Sequence, residues 1–510
     1  MKSRLVNMVK YNKSESVDLT GIVSQISKVF KTEKEKEELN KVDYYDTFDW
    51  RLFKKNHCLT KKRNIYSLSM LSGKDPHSSL SLNSRKNLSF WWDFPDTNLK
   101  NKLKNLIGVR SLIHITTVDS TNQIYKLLNN DEKIIARLNF QKIKCIAATG
   151  IEIELICLHP VRGYREEFKK TKSLLSDIGL TQNKKNILTI SLSTCNVKPG
   201  SYTGKLDIKL KPEYTTLQST VMIFSNLLKT MKQNEEGIKN DIDTEFLHDF
   251  RVAVRRTRAA LSQLEAVFPE EITDKAKKEF STLGKMTNHL RDLDVYLLNK
   301  DRYKKMLPLD LHPGLEPVFN ILESERIKEQ KKITEYLNSD SYKNIINSWE
   351  NLLLNREYET VKSHNSDTPV IEIAKIFILK KYKKIIKTGN KIDEKTPDTD
   401  LHSLRIECKK LRYLLEFFTS LFPQDEMMLI IKQLKKLQDN LGDFNDLCVQ
   451  QESLKNFANK HKNTIITTSA LGGLIAVLFQ KQLEIRNEFA IKFEEFSTAD
   501  NIKLYNKLFS

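Results

Sequence analysis

The chain has 510 residues, 39% of them hydrophobic, enough for roughly two to four domains with real cores. Its net charge of +19 and pI near 9.3 call for anionic partners: nucleic acid, phosphates or an acidic membrane surface. Six cysteines, at 58, 145, 157, 195, 408 and 448, form no CxxC pair and repeat no metal-ligand spacing, so reduced, mostly buried thiols of a cytosolic protein are expected.

The N-terminus, "MKSRLVNMVKYNKSESVD", lacks the long apolar stretch of a secretory signal. Residues 1–40 read as a charged, helical, poorly anchored segment, with "TEKEKEELN" a solvated helix face or tether. Residues 41–212 have strand texture. Short apolar or alternating runs ("NIYSLSML", "RSLIHITTV", "KIIARLNF", "GIEIELICL", "KLDIKLK") are separated by turn formers, and one amphipathic helix, 166–180, ends at Gly179. An α+β domain on an antiparallel sheet is expected there. After about 215 the pattern is helical to the end, an all-α region. The polar stretch "TGNKIDEKTPDTD" at 388–400 reads as the boundary between two halves, 215–388 and 389–510. The uncharged run "NTIITTSALGGLIAVLFQ", 463–480, carries four Thr/Ser and a Gly-Gly pair, and reads as a buried core helix rather than a bilayer span.

The helical region repeats itself. Shifted by 154 residues, His248 falls on His402, Arg251 on Arg405, Arg255 on Lys409, Arg256 on Lys410 and Arg258 on Arg412. The register continues without a gap through Phe268-Pro269 on Phe422-Pro423 to Val295 on Val449. Two related helical bundles about a pseudo-two-fold axis are expected.

At about 100° per residue, His248, Arg251, Arg255 and Arg258 share one stripe, with Phe250, Val254, Leu261, Leu264 and Phe268 opposite and Arg256 standing off to one side. In the second copy His402, Arg405, Lys409 and Arg412 share a stripe backed by Leu404, Cys408, Leu411, Leu415 and Phe418. Like charges three and four apart on a helix repel by a few tenths of a kcal/mol per pair. Glutamates would relieve that repulsion but are not interleaved here. Such a stripe suits a polyvalent anion: arginine offers a planar fork matching phosphate oxygens, lysine a mobile point charge, and histidine becomes cationic beside phosphate. The competing view makes each stripe a solvated face, or pairs it with Asp292, Asp294, Asp443 and Asp446. Residues 1–220 carry 38 basic against 22 acidic residues and residues 221–510 carry 46 against 43, so the stripe's charge is local.

"LHDFRVAVRRTRAAL" and "LHSLRIECKKLRYLLEFF" resemble the His-x-x-Arg-x-x-x-basic-basic-x-Arg signature of the CHAD (conserved histidine α-helical) domain. "HLRDLDV" and "LKKLQDNLGDFNDLCV" are similar to its downstream segments. The resemblance covers about 215–510. It implies two four-helix bundles around a basic channel that binds inorganic polyphosphate. Carried over by motif position, the anion contacts are His248, Arg251, Arg255, Arg256, Arg258, His402, Arg405, Lys409, Lys410 and Arg412, with Arg291, Lys435 and Lys436 as additions. Asp292 and Asp446 fall where they would orient basic side chains.

Residues 41–212 resemble a degenerate copy of the CYTH, or triphosphate tunnel, domain that often precedes this family. "DYYDTFDW" is similar to its Tyr-x-Asp-Thr strand entry, and "IIARLNF" and "GIEIELICL", with Glu152 and Glu154, to later tunnel strands. The family's metal-binding Glu-x-Glu-x-Lys strand has no match. Glu33, Glu35 and Glu37 alternate, but in a lysine-rich run read as helix. Arg51, Arg137 and Lys142 are the tunnel candidates. The expected function is thus a non-catalytic polyphosphate-binding protein, cytoplasmic, associated with polyphosphate granules, and without membrane or cofactor. The alternative is a triphosphatase that uses a divalent metal. Nucleic acid is the less favoured partner, read from the basic first part and from Trp50, Trp91 and Trp92 as stacking platforms.

Overall fold

A computed structural model describes residues 8–12, 18–71, 79–146, 151–355, 363–461 and 464–510. The chain divides into two compact units, residues 1–203 and 204–510.

The first unit is built on an antiparallel sheet. Its strands are β1 (Val9–Asn12), β2 (Lys31–Lys34), β3 (Glu38–Asp46), β4 (His57–Lys62), β5 (Ile65–Met70), β6 (Leu80–Asn83), β7 (Ile113–Leu128), β8 (Ile134–Cys145), β9 (Glu152–Pro160) and β10 (Thr181–Gln182). The order is β10-β1-β9-β8-β7-β3-β4-β5-β6, with β2 also on β7. Helices α1 (Leu19–Ser27), α2 (Arg51–Lys54), α3 (Asn98–Ile107), α4 (Arg165–Asp177) and α5 (Ile187–Ser193) complete it. One sheet face buries Leu127, Leu138, Ile156 and Leu158 with Ile22 and Ile26 of α1 and Phe168 and Leu175 of α4. Part of the other face packs Val42, Tyr44, Val118, Ile143 and Leu155 against Leu188 and Leu192.

The N-terminal segment is therefore anchored, contrary to expectation. Tyr11 of β1 is fully buried between strands, and Ile22 and Ile26 join the core. "TEKEKEE" is not helical either. Residues 31–34 pair with β7, and Glu35 N–H continues the ladder to the Ile124 carbonyl. Alternating Glu and Lys suits a strand whose partner supplies matching charge, and Lys126 does so here. Residues 205–211 form no strand, and Leu210 N–H bonds the Ser420 hydroxyl in the helical unit. Two cysteines are paired, not free: a disulfide joins Cys145, at the end of β8, to Cys195, just after α5. Cys58, Cys157 and Cys408 are buried free thiols.

The second unit is all helix: α6 (Thr216–Lys239), α7 (Thr244–Gln263), α8 (Glu270–Met286), α9 (Asn288–Leu298), α10 (Lys300–Lys304), α11 (His312–Asn338), α12 (Asp340–Asn355), α13 (Val370–Gly389), α14 (Asp398–Phe418), α15 (Gln424–Lys460), α16 (Ile465–Phe496) and α17 (Ala499–Phe509). The repeat is visible in where helices begin. α13, α14 and α15 start at residues 370, 398 and 424, each 154 after α6, α7 and α8 at 216, 244 and 270. Residues 388–400 are accordingly the α13–α14 turn, and the second half begins near 370, because α13 is the counterpart of α6. The halves differ at one point: the α8–α9 pair breaks at Thr287, where α15 runs on unbroken. α16 is long and apolar enough to cross a membrane by length and composition. It packs Ala470, Leu471, Leu474 and Leu478 against Leu315, Val318 and Phe319 of α11, while Ile465 and Phe479 stay exposed.

Candidate functional site

The two basic stripes sit on α7 and α14, and the capping chemistry fixes where each begins. Asp243 caps α7 by accepting from the Glu245 N–H, and α14 opens after Pro397 with Asp398 and Asp400 in its first turn. Phe250, Val254 and Leu261 anchor one helix, and Leu404, Cys408, Leu411 and Leu415 the other, all buried. The basic faces are thereby turned away from the hydrophobic anchors.

The stripes meet. Arg255 Nε donates to the Tyr413 hydroxyl across the two helices at 2.6 Å. Burial, with neighbouring Arg405 and Arg255 acting in the same direction, brings the Lys409 ammonium down to about 8 against the pull of Asp446. Arg405 is held below the ordinary arginine range by burial and by Arg255, against the pull of Asp446. Its Nη2 donates to Asp446 at 3.3 Å, while its Nε is buried with no partner among the described residues. At the α7 end, Arg251 Nη1 donates to the Thr287 hydroxyl at 2.8 Å and the Gly284 carbonyl at 3.2 Å, both at the α8–α9 break. Burial, with Arg255 and Arg291 nearby, lowers Arg251 to about 10 although Asp292 opposes it. His248 lies below the ordinary imidazole value through burial and Arg291. Arg291 Nη1 donates to the Thr244 carbonyl at 3.3 Å. Arg255 and Arg291 thus lower the proton affinity of the basic groups beside them, and an anion placed among these cations would relieve that field.

Several other expected contacts are engaged elsewhere, and others are exposed. Arg256 and Arg412 share Glu416, each at 2.8 Å, and Arg256 also donates to the Gly204 carbonyl. Lys410 pairs with Glu407 at 3.2 Å, and Lys436 with Glu495 at 3.1 Å. Lys435 is exposed on α15. His402 is exposed and bonds Asn445. Arg258 is exposed, and Gly284 leaves it room: a Cβ there would lie 3.0 Å from its Nη1. Asp294 serves Arg326, away from the stripes. Sequence reasoning missed Tyr413, Thr287, Glu416 and Glu407. Tyr413 and Glu416 break the repeat, standing where the first copy has Ala259 and Ser262; such departures are the signal that was available.

In the first unit the register places Glu33, Lys126, Arg137 and His159 abreast across β2, β7, β8 and β9. They occupy the face opposite the Leu127–Leu138 core. Glu35 reaches Lys126 at 3.3 Å and Glu33 at 3.8 Å, and burial with Arg137 lowers the His159 imidazole. Lys142 lies on the other face, paired with Glu154 at 2.9 Å and Glu152 at 3.7 Å, so these three do not join the row. Arg51 is tied to Asp49 and to the Ile107 carbonyl. The Tyr-x-Asp-Thr entry is structural. Buried Asp46 accepts from the N–H groups of Thr47, Leu52 and Phe53, and burial raises its carboxyl to about 6 against those bonds. Trp50 is core; Trp92 is exposed and stacked on Phe90. Among the described residues no three carboxylate, thiol or imidazole groups gather as a metal site. Glu33 of the row and neighbouring Glu35 both pair with Lys126, so these residues do not fit a resident divalent metal.

No curated protein sequence matches the chain. Among solved structures it is similar to the CHAD domain from the plant Ricinus communis (21% identity, 57% of this chain and 95% of that one, TM-score 0.49). It is also similar to PptA from Streptomyces chartreusis (12% identity, 55% and 100%, TM-score 0.44). A third match is an adenylate cyclase-like protein from Bacillus halodurans (15% identity, 36% and 94%, TM-score 0.26). Residues 222–455 match the CHAD domain family model, a span that contains α7, α14 and both basic stripes, and the helical unit of this chain is a CHAD domain.

Proposed function

We propose that the helical unit binds inorganic polyphosphate non-catalytically, as the resemblance to its family implies, and that the protein associates through it with polyphosphate granules in the cytoplasm. The observation carrying this reading is the meeting of α7 and α14 at the Arg255–Tyr413 hydrogen bond, with Arg255 close enough to Arg405 and Lys409 to depress both. Such a cluster is unfavourable when empty and gains most from a ligand with closely spaced negative charges. Arg251, His248 and Arg291 extend it along α7. Arg256, Lys410, Arg412 and Lys436, which already hold carboxylates, contribute through long-range field. The test is a titration of the full chain with polyphosphate beside a variant carrying Arg255→Glu and Lys409→Glu. Binding should fall by about a hundredfold, with helicity by circular dichroism unchanged, and should weaken steeply with salt in the wild type. Unchanged affinity in a folded variant sinks the proposal.

A second reading, a triphosphatase in the first unit, is favoured by one observation: Glu33 stands on a strand, with Glu35 just past its end, beside Lys126, Arg137 and His159 rather than on a helix. A row of three basic groups suits a short phosphate chain. No metal-dependent step follows from it, for the reason given above.

A further inference from the structure

A cavity of about 410 Å³ lies within the helical unit, lined by the C-terminal end of α7 (Ser262, Gln263, Glu265), by α13 (Phe377, Lys380, Lys381, Lys384) and by α14 (Glu407, Lys410, Leu414). Of the expected polyphosphate contacts only Lys410 lines it. Four lysines face two glutamates. Glu407 holds Lys381 at 2.7 Å, Lys410 at 3.2 Å and Lys384 at 3.4 Å, so one carboxylate gathers three ammonium groups and leaves them in excess. Gln263 is 8% exposed, and neither its amide nitrogen nor its amide oxygen has a partner among the described residues. A buried amide with donor and acceptor both unused is costly, and it is the group that reads the donor–acceptor edge of a nucleobase. Phe377 and Leu414 supply apolar surface for a ring. The internal repeat does not generate this cavity: its symmetry places Asn226, Leu227, Thr230 and Ala253 where Lys380, Lys381, Lys384 and Glu407 stand. The lysines are a local addition to the second half.

We infer that this cavity binds a nucleotide. The lysines take its phosphates, Phe377 and Leu414 flank its base, and Gln263 meets the base edge. Its size suits such a ligand. The inference does not rest on polyphosphate binding at the stripes. The test is calorimetric titration of the full chain with ADP, GDP, CDP and UDP as probes. At least one should bind, and a variant carrying Lys380→Ala and Lys384→Ala, changes on an outward part of α13 that leave packing alone, should weaken that binding by about tenfold or more. Gln263→Leu should reduce discrimination among the four bases. The Arg255→Glu, Lys409→Glu variant should keep nucleotide binding while losing polyphosphate, and the lysine variant should do the reverse. Failure of all four nucleotides to bind, or binding that survives loss of both lysines, overturns the inference. Loss of nucleotide binding in the stripe variant would assign the nucleotide to the polyphosphate site and overturn it equally.

Discussion

Lys409 carries the sharpest consequence at the scale of single residues. Burial, Arg405 and Arg255 bring its ammonium to about 8, well below an ordinary lysine. A bound polyanion favours the charged form and raises that value, so binding takes up a proton wherever the pH lies between the free and bound pKa values. Polyphosphate affinity should therefore be level up to about pH 7 and fall above pH 8, by up to about tenfold per pH unit over that window. Lys409→Arg stays charged throughout and should flatten the profile between pH 7 and pH 9.5 while keeping affinity at pH 7. An unflattened profile would mean that the ammonium does not face the ligand. Asp46 supplies a test in the first unit. Three backbone N–H groups depend on its carboxylate, and Asp46→Ala leaves them buried and unpaired. The expected loss is about 2–4 kcal/mol in denaturant unfolding. The folded-state carboxyl titrates near 6 and the unfolded one near 4, so the native state holds the extra proton between them. The wild-type stability contribution from this group is then largest below about pH 4 and is lost as pH rises through 6.

Among elements, α16 separates what a sequence pattern can say from what packing decides. Its apolar run satisfies the length and composition of a span, yet one face is the partner of α11. Gly314 of α11 makes the contact possible: a Cβ there would lie 2.4 Å from the Ile466 carbonyl oxygen and 2.8 Å from Ala470 Cβ. Backbone cannot yield as a flexible side-chain tip does. Gly314→Ala should cost about 1–3 kcal/mol of unfolding free energy through overpacking, read from urea melts of the full chain. A helix that left the bundle for a bilayer would not feel the added methyl, and an unchanged melt would favour that arrangement. The repeat from His248 to Val295 was legible because basic and apolar positions coincide after a shift of 154 residues, and the helix starts at 216, 244 and 270 recur at the same shift. The halves were cut in the wrong place because the polar α13–α14 turn resembles a linker by composition alone. "TEKEKEE" misled for a related reason: its strand identity comes from β7 and Lys126, which local propensity does not see. The Cys145–Cys195 pair lies 50 residues apart in sequence and left no spacing signal.

Across the whole molecule, the two units differ in how their charges are arranged. In the helical unit the basic stripes were legible because the repeat showed the same pattern twice; which members stay uncommitted was not, since Glu416 and Glu407 take theirs from positions where the two copies differ. In the first unit a basic row is present, and the carboxylates paired with it among the described residues, Glu33 and Glu35, lean on Lys126. Metal-assisted hydrolysis needs several carboxylates free to hold the ion and orient a water against the phosphate. The full chain incubated with tripolyphosphate and Mg²⁺ or Mn²⁺ should therefore release no orthophosphate above the rate without protein, while still binding long-chain polyphosphate through α7 and α14. Replacing Lys126 and Arg137 by alanine should leave that long-chain affinity within about twofold, since neither lies in the unit proposed to hold polyphosphate. Metal-dependent phosphate release that disappears in the Glu33→Gln, Glu35→Gln variant would reverse the assignment and make the first unit the catalytic one, with the helical unit gathering its substrate.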